Sequence, residues 1–332
     1  MNGSRAGFWG AFLTLLFLAV PGVLAAMGST YGFRVATVCA IFVILGVSMQ
    51  LITGVAGLLS LGHAAFYGVG AYTAAKLAIG AGLPFIVTLP AAGLMTALVG
   101  LLVAVPTMRL VSIYFAVATL GVGQMIFVTL LNWVSFTRGP LGIPAIPGIA
   151  IFGVNFSSAS GTYMIVAAVT AFAVWVAHRV AHSYHGTALR ALREDDQCAD
   201  AMGVNVPRTK LEVFAVSAFL AGLAGALWAH STGFVSPTDF RFAESILILA
   251  MVVVGGLGSI PGAVLGAVLL ALLPEALRFV GDVRQIVVGA VMFAAILFLP
   301  RGLLGEVPTL AFIRRALGAG WRAPDGRVLG WR

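Results

Sequence analysis

Three aspartates that lie close together, Asp195, Asp196 and Asp200, are the first candidates for chemistry in this sequence. Clustered aspartates hold magnesium in membrane prenyltransferases, and carboxylate oxygens are the ligands that this ion prefers. Such an enzyme needs a second aspartate cluster that faces the first across a cavity. The acidic residues outside this region are isolated from one another: Asp239, Glu244, Glu275, Asp282, Glu306 and Asp325. We therefore predict neither an enzyme nor a metal site.

A phosphate-binding loop would end in Gly-Lys-Ser/Thr, and the sequence offers no such ending. Its two lysines, Lys76 and Lys210, both follow residues other than glycine. The glycine-rich stretch 255–262 lacks a lysine and lies in an apolar run, so it predicts helix packing through Gly262 and Gly266 instead. We therefore predict no ATP-binding loop and no cofactor in this chain.

Charge is distributed very unevenly along the chain. Ten of the thirty charged residues fall between Arg179 and Glu212, and long runs on either side contain none. A bilayer core about 30 Å thick is crossed by roughly 20 apolar residues in a helix. With 61% hydrophobic and 9% charged residues, the sequence predicts an all-α polytopic membrane protein. Its net charge of +8 comes from scattered arginines and does not indicate nucleic-acid binding.

Charges and helix breakers together predict about ten transmembrane helices in a single domain over residues 1–332. Residues 1–27 also resemble a signal peptide, although a retained first span is the simpler interpretation. The stretch 54–70 is so rich in glycine that we expect a break or a re-entrant turn there. The predicted spans lie near 8–27, 35–53, 58–79, 84–105, 110–132, 162–179, 211–232, 243–258, 262–280 and 284–300.

The basic residues predict the orientation of these spans. An even number of spans places both termini on one side, together with the loop 180–210 and the basic tail 301–332. That side carries thirteen basic residues against six on the other. Because basic residues accumulate on the cytoplasmic side, we predict that the termini, the loop and the tail are cytoplasmic.

The charged loop has the pattern of a helix outside the membrane. Thr187 is placed to cap a helix that starts at Ala188, and Gly203 followed by Val204 predicts its C-terminal end. An apolar stripe on such a helix must pack either on this chain's own surface or in the groove of a soluble partner. The stripe consists of Leu189, Leu192, Ala199 and Met202.

At this point the sequence resembles a known family. The stretch GTALRALREDDQCADAMGVNVPRTKLEVFAVSAFLAGLAGAL, which starts at Gly186, is similar to the cytoplasmic loop and following span of M-type permease subunits of branched-chain amino acid ABC transporters. Three further stretches match in the family's order: GLLSLGHAAFYGVGAYTAA (57–75), TRGPLGIPAIP (137–147) and SILILAMVVVGGLGSIPGAVLGA (245–267). The resemblance covers roughly residues 35 to 300.

The resemblance implies an ABC importer permease fold in the bacterial inner membrane, translocating leucine, isoleucine or valine. It implies a paralogous permease subunit, cytoplasmic ATPase subunits and a periplasmic substrate-binding protein as partners. Related permeases carry urea or short amides, which leaves the solute open. A secondary transporter or channel is the other alternative, weakened because no acidic residue falls in the middle of a span.

Several individual residues are candidates for roles in such a permease. The loop residues that would couple to the ATPase are Arg190, Arg193, Glu194, Asp195, Ala199, Asp200, Ala201 and Gly203. Arg138 and Arg241, on the predicted outer side, are candidates for contact with the binding protein or are ordinary interfacial arginines. Polar residues within spans either line a pore or bond to neighbouring helices, and the candidates are Gln50, Ser60, His63 and Tyr67.

Overall fold

The computed structural model describes residues 30–108, 110, 112–151, 153–277, 286, 289–290, 293 and 302–303. This part of the chain is mostly helical, as the composition predicts, with four two-residue strands and short irregular stretches between the helices. Its main helices are α1 (Thr30–Met49), α2 (His63–Gly80), α3 (Phe85–Thr107), α4 (Ser112–Asn132), α5 (Ala159–Ala181), α6 (Tyr184–Glu194), α7 (Asp196–Ala201), α8 (Val206–Thr232), α9 (Phe242–Gly255) and α10 (Ile260–Ala276).

Five segments in the described residues are long and apolar enough to cross a membrane: Thr30–Val55, Phe85–Thr107, Ile113–Asn132, Ala159–Ala181 and Val206–Thr232. α9 and α10 are shorter apolar helices. The span predicted at 8–27 lies outside the described residues, and only residues 286, 289–290 and 293 of the span predicted at 284–300 are described, so the number ten stays a prediction.

α1 does not end as a regular helix. It continues as a π-helix over Gln50–Val55, and the chain becomes helical again only at His63. The span predicted to start at residue 58 therefore starts later, because the glycines at 57 and 62 flank a stretch with no helical hydrogen bonds. The break expected within 54–70 is confirmed.

α8 lies at the centre of the described structure, between α2 and α3. Glycines allow this close packing: a Cβ on Gly225 would lie 2.2 Å from the Tyr67 carbonyl oxygen, and one on Gly70 would lie 2.4 Å from that of Gly222. On the other side of α8, a Cβ on Gly100 would lie 2.6 Å from the Ala218 Cβ. Small residues let membrane helices approach where lipid gives no hydrophobic driving force.

α9 and α10 form a tight helical hairpin. A Cβ on Gly262 would lie 2.5 Å from the Gly255 carbonyl oxygen, and one on Gly266 would lie 2.0 Å from that of Met251. The helix packing predicted for Gly262 and Gly266 is confirmed.

The two ends of the bundle carry different connections. One end, the loop side, carries α6 and α7. The opposite end, the strand side, carries the strand pairs β1–β4 and β2–β3, which are antiparallel. The short elements on that side are a helical turn (Val134–Thr137), two 3-10 helices (Gly139–Leu141 and Pro237–Phe240), β1 (Ile143–Pro144), β2 (Ala150–Ile151), β3 (Val154–Asn155) and β4 (Phe234–Val235).

Candidate functional site

The loop between α5 and α8 begins with a capped helix. Ser183 is its N-cap, with the side-chain Oγ accepting a hydrogen bond from the Gly186 backbone N–H at 3.3 Å. The prediction that Thr187 caps a helix starting at Ala188 is wrong. Ser183 offers its acceptor one turn earlier, so α6 starts at Tyr184.

The loop helix is interrupted at Asp195. Its backbone is extended, and its Oδ1 accepts hydrogen bonds from the backbone N–H groups of Cys198 at 3.0 Å and Gln197 at 2.8 Å. These two bonds lower the pKa of the Asp195 carboxyl because they favour its charged form. An aspartate that bonds to the N–H groups ahead of it starts a new helix. The single helix predicted up to Gly203 is therefore two helices.

Gly203 ends α7 as predicted. Its φ of +87° lies in the left-handed region that glycine adopts without strain. The backbone N–H of Val204 donates to the Ala199 carbonyl at 3.1 Å, and that of Gly203 donates to the Asp200 carbonyl at 2.8 Å. Val204 packs against the core, which completes the capping motif.

The apolar face of the loop packs mainly on this chain itself. Leu189, Leu192 and Ala199 are at most 4% exposed, whereas Met202 is 85% exposed. Of the two alternatives for the stripe, Ala199 therefore follows the first, because its small side chain faces the interior of the same chain. The large apolar side chains that the loop leaves open are Met202 and Tyr184, the latter 87% exposed.

The predicted coupling residues therefore divide into two groups. Ala199 is buried, and Arg193 is exposed in part but reaches inward to a backbone carbonyl. The exposed remainder consists of Arg190, Glu194, Asp195, Asp200, Ala201 and Gly203.

Arg193 connects the loop to the end of α1. Its Nη1 donates a hydrogen bond to the Gly54 carbonyl oxygen at 2.7 Å. The aliphatic stem of the arginine lies across Gly57, where a Cβ would come within 2.8 Å of the Arg193 Cγ. The guanidinium thus binds the last turn of the π-helix, directly before the non-helical residues 56–62.

α7 is connected to α8 by an ion pair. Lys210, only 5% exposed, bonds through Nζ to Asp196 Oδ2. Further along α8, Glu212 lies 2.9 Å from Arg208 Nε and 3.5 Å from His185 Nδ1. The loop is consequently attached both to α1 and to α8.

Residues 56–62 run back into the bundle from the loop side without helical structure. Leu61 N–H donates to Thr119 Oγ1 at 3.1 Å, and Ala64 N–H, in the first turn of α2, donates to Ser245 Oγ at 3.0 Å. Thr119 is seven residues from the start of α4, or about 10 Å along its axis. Non-helical backbone is tolerated at such a depth when protein groups satisfy it, as here.

All four predicted pore residues are buried around this segment. His63 is fully buried, with Nε2 2.7 Å from Ser48 Oγ and no partner for Nδ1 among the described residues. Gln50 Nε2 donates to the Gly256 carbonyl at 3.2 Å, while its Oε1 and Ser60 Oγ have no recorded partner. Tyr67 packs edge-on against Phe240 at 4.9 Å. In this conformation Gln50, His63 and Tyr67 contact neighbouring elements, and none of the four side chains lines the cavity beside the start of α2.

A small cavity lies beside the N-terminal turn of α2. It is lined by Leu61, Ala65, Leu120, Gly123, Gln124, Phe240, Phe242 and Ser245. Sequence analysis did not select Ser245 or Thr119, which bond to the backbone at the start of α2. Ser245 lies 181 residues from its partner, and a serine or threonine in an apolar run gives no local signal of such a contact.

The two predicted outer arginines lie in different surroundings. Arg138 is exposed on the strand side, with a φ of +61° at the end of a helical turn. Arg241 is exposed but follows Phe240, whose ring packs on Gly68, Tyr67 and Tyr72 of α2. Tyr67 and Tyr72 lie about 12 to 20 Å from the end of that helix at Gly80, so Arg241 lies deeper than predicted.

No group of three or more metal-binding side chains occurs in the part of the chain that the structure describes. Cys39 is buried and Cys198 is exposed, and both are free.

Comparison with known proteins gives consistent results. The family described as "Branched-chain amino acid transport system / permease component" matches residues 31–296. The high-affinity branched-chain amino acid transport system permease protein LivM of Escherichia coli K12 is 37% identical over 316 residues, covering 87% of this chain and 74% of that protein. Its Salmonella typhimurium counterpart is 37% identical over 315 residues, covering 88% and 74%.

A second permease type is also similar. The permease protein LivH of Escherichia coli K12 is 30% identical over 197 residues, covering 56% of this chain and 62% of that protein. None of the solved structures matches the chain. The prediction of a transport subunit rather than an enzyme is confirmed by these relatives. The chain is a multi-pass membrane protein that belongs to the permease family of branched-chain amino acid transport systems.

Proposed function

We propose that this chain is one of two permease subunits of an ABC importer that moves leucine, isoleucine and valine across the bacterial inner membrane. A paralogous permease forms the other half of the membrane part. Cytoplasmic ATPase subunits hydrolyse ATP, and a periplasmic binding protein delivers the amino acid. The loop side is cytoplasmic in this proposal, as the thirteen-to-six distribution of basic residues favours.

The observation that carries the proposal is the attachment of the loop to the interrupted helix. A loop that only joined two spans would not need a side-chain hydrogen bond to a third. Here Arg193 Nη1 donates to Gly54 O at 2.7 Å, and Lys210 Nζ bonds to Asp196. A force on α6 and α7 therefore reaches residues 56–62 and α8 directly.

The ATPase docks on the exposed part of the loop in this proposal. Met202 and Tyr184 are the large apolar side chains open to a partner, and Asp200 and Ala201 lie beside Met202 in the chain. Closure of the ATPase dimer shifts α6 and α7, and Arg193 transmits the shift to residues 56–62. Those residues set the position of the α2 N-terminus inside the membrane, so their displacement switches the permease between two packed states.

Reconstitution tests the proposal. The complete assembly, with its second permease, ATPases and binding protein, is placed in liposomes, and ATP-driven uptake of leucine, phenylalanine and urea is compared. We expect uptake of leucine but not of urea. Uptake of urea alone would support the short-amide alternative. Uptake by this chain without any ATPase would support a carrier or channel.

A docking variant refines the test. Met202→Glu places a charge on the open apolar surface and should remove the ATPase from the purified assembly, while Met202→Leu keeps the apolar contact and should retain it. Membrane levels of both variants should equal that of the unmodified chain, because Met202 is 85% exposed. Retention of the ATPase by Met202→Glu would contradict docking at this surface.

A further inference from the structure

The spanning helices α3 and α5 expose only apolar side chains through their middle turns. On α3 the exposed positions are Ile86, Val87, Pro90, Leu94, Met95, Leu98, Leu102, Val105 and Pro106. On α5 the exposed positions from 164 to 175 are Met164, Ala168, Ala171, Phe172 and Trp175. The threonines within these helices are turned inward: Thr96 and Thr170 are buried and bonded to backbone carbonyls. Such faces suit lipid tails.

The exposed face of α4 is different because it includes an amide. Gln124 is exposed, twelve residues from the start of the helix and eight from its end, which is near the middle of the span. The side-chain amide of Gln124 forms no hydrogen bond with any described residue. Thr129 and Asn132, nearer the helix end, bond to carbonyls of their own helix. Gln124 belongs to a stripe with alternating spacings of three and four: Tyr114, Val117, Gly121, Gln124 and Val128.

No packing contact among the described residues explains Gly121. A Cβ built on it would have none of their atoms within 4 Å. Gly123, two residues on, is needed internally, since its Cβ would lie 3.0 Å from the Gly62 Cα. Glycine lowers the stability of a helix relative to alanine, and in membranes it is used where another backbone approaches closely.

A second exposed polar side chain lies next to this stripe. Phe240 and Phe242 line the same cavity as Gln124, and Arg241 between them is exposed. Phe240 contacts α2 well inside that helix, so Arg241 lies at membrane depth. An arginine at this depth is costly in lipid and is retained where protein or water surrounds it.

We infer that the face formed by Tyr114, Val117, Gly121, Gln124, Val128 and Arg241 is covered by the second permease subunit. The inference rests on the proposed function, which supplies that subunit, and it identifies which of the exposed faces the subunit uses. Small residues with an interhelical hydrogen-bonding group are what membrane helices use to associate. The spacing of the stripe suits a helix packed at about +20°. The faces of α3 and α5 expose no hydrogen-bonding side chain in their middle turns and remain against lipid.

Photo-crosslinking tests this assignment in the complete assembly in its native membrane. A photoreactive amino acid is placed at position 121 in one variant and at position 168, an exposed alanine on α5, in another. We expect an adduct between this chain and the second permease from position 121 and none from position 168. An adduct with lipid only, an adduct with a second copy of this chain, or equal adducts from both positions would overturn the inference.

A substitution pair provides the second readout. Gly121→Leu should reduce co-purification of the second permease by roughly tenfold or more, while Ala168→Leu should leave it unchanged. Gly121→Leu fits the isolated fold because open space surrounds that Cβ, and its membrane level and protease resistance verify this. If Gly121→Leu leaves co-purification unchanged, the assignment of this face is contradicted and the proposed function is not. If the unmodified assembly contains no second permease, the proposed function itself is contradicted.

Discussion

Two turns with the same sequence pattern fold differently in this molecule. Residues 57–60 read Gly-Leu-Leu-Ser and residues 256–259 read Gly-Leu-Gly-Ser, and both start with a glycine at positive φ, +72° and +119° respectively. After the second turn, Ser259 Oγ accepts a hydrogen bond from Gly262 N–H at 3.2 Å, and α10 starts at once. After the first, Ser60 caps nothing, and α2 starts three residues later at His63.

The difference lies in which residues hold each turn. Gly255 and Gly262 bring the backbones of α9 and α10 together, so the second turn is held mainly by its own hairpin, with one side-chain bond from outside, Gln50 Nε2 to the Gly256 carbonyl. The residues on either side of the first turn are bonded by side chains from other helices. Thr119 of α4 bonds to Leu61, Ser245 of α9 bonds to Ala64, and Arg193 of α6 bonds to Gly54. A turn held by its neighbours moves when they move. The contacts made by the surrounding helices, and not the shared four-residue pattern, therefore determine how each turn is held.

The largest expected effect comes from releasing the first turn. Arg193→Gln removes the charged hydrogen bond to Gly54 O, which contributes about 1.5–3 kcal/mol, so ATP-driven leucine uptake should fall by roughly tenfold or more. ATPase attachment should persist, and ATP hydrolysis should continue without transport. The measurement is the ratio of amino acid taken up to ATP hydrolysed in proteoliposomes.

Arg34→Gln is the control, because Arg34 is an exposed arginine near the start of α1, on the strand side and away from the loop. In this control, the ratio of amino acid taken up to ATP hydrolysed should equal that of the unmodified assembly. Arg193→Lys, which keeps a donor, should recover part of the coupling. Full coupling in Arg193→Gln would show that the first turn does not need this connection.

A smaller effect should follow from separating α9 and α10, the two helices that the second turn connects. A Cβ at Gly266 would lie 2.0 Å from the Met251 carbonyl oxygen, so Gly266→Ala should separate α9 from α10 and cost about 1–3 kcal/mol. Thermal unfolding in detergent should report the loss as a lower midpoint. Gly80→Ala, where nothing lies within 4 Å, should leave the midpoint unchanged. Equal midpoints for the two variants would contradict the tight packing of this hairpin.

The smallest effects come from the two serines themselves. Ser259→Ala removes an N-cap and should cost about 1 kcal/mol. Ser60→Ala removes a buried hydroxyl without a recorded partner and should be neutral or slightly stabilising. Unfolding midpoints of the two variants, measured together, test whether the turns differ as described. A larger loss in Ser60→Ala than in Ser259→Ala would reverse the comparison.

Local signals in the sequence predicted much of this arrangement. The apolar runs located the spans, Gly203 with Val204 located the end of α7, and the glycines near 57 and 62 indicated the break. Asp195 could not be recognised as a break, because an aspartate within a helical pattern is equally compatible with an exposed helical position. The burial of Ala199 and exposure of Met202 depend on how the loop rests on the bundle, which its periodicity does not specify.

Most of the features that could not be predicted from the sequence are contacts between residues far apart in the chain. Ser245 and Ala64 are separated by 181 residues, and Arg193 and Gly54 by 139. Nothing in the local pattern around Ser245 distinguishes it from other small polar residues in apolar helices. The depth of Arg241 was likewise not predictable, because it depends on Phe240 reaching into the aromatic cluster of α2.

α8 has attachments near both ends. Lys210 bonds to Asp196 on the loop side, while His230 on the strand side donates through Nδ1 to the Pro147 carbonyl at 2.8 Å and lies 2.9 Å from Thr88 Oγ1. These two residues are twenty positions apart, about 30 Å along one helix. Where two binding events bias the same element, thermodynamic linkage makes their influence mutual. In the proposed importer, a protein that binds the 143–149 segment and shifts α8 would change the affinity for the ATPase by the same factor as ATPase binding changes the affinity for that protein.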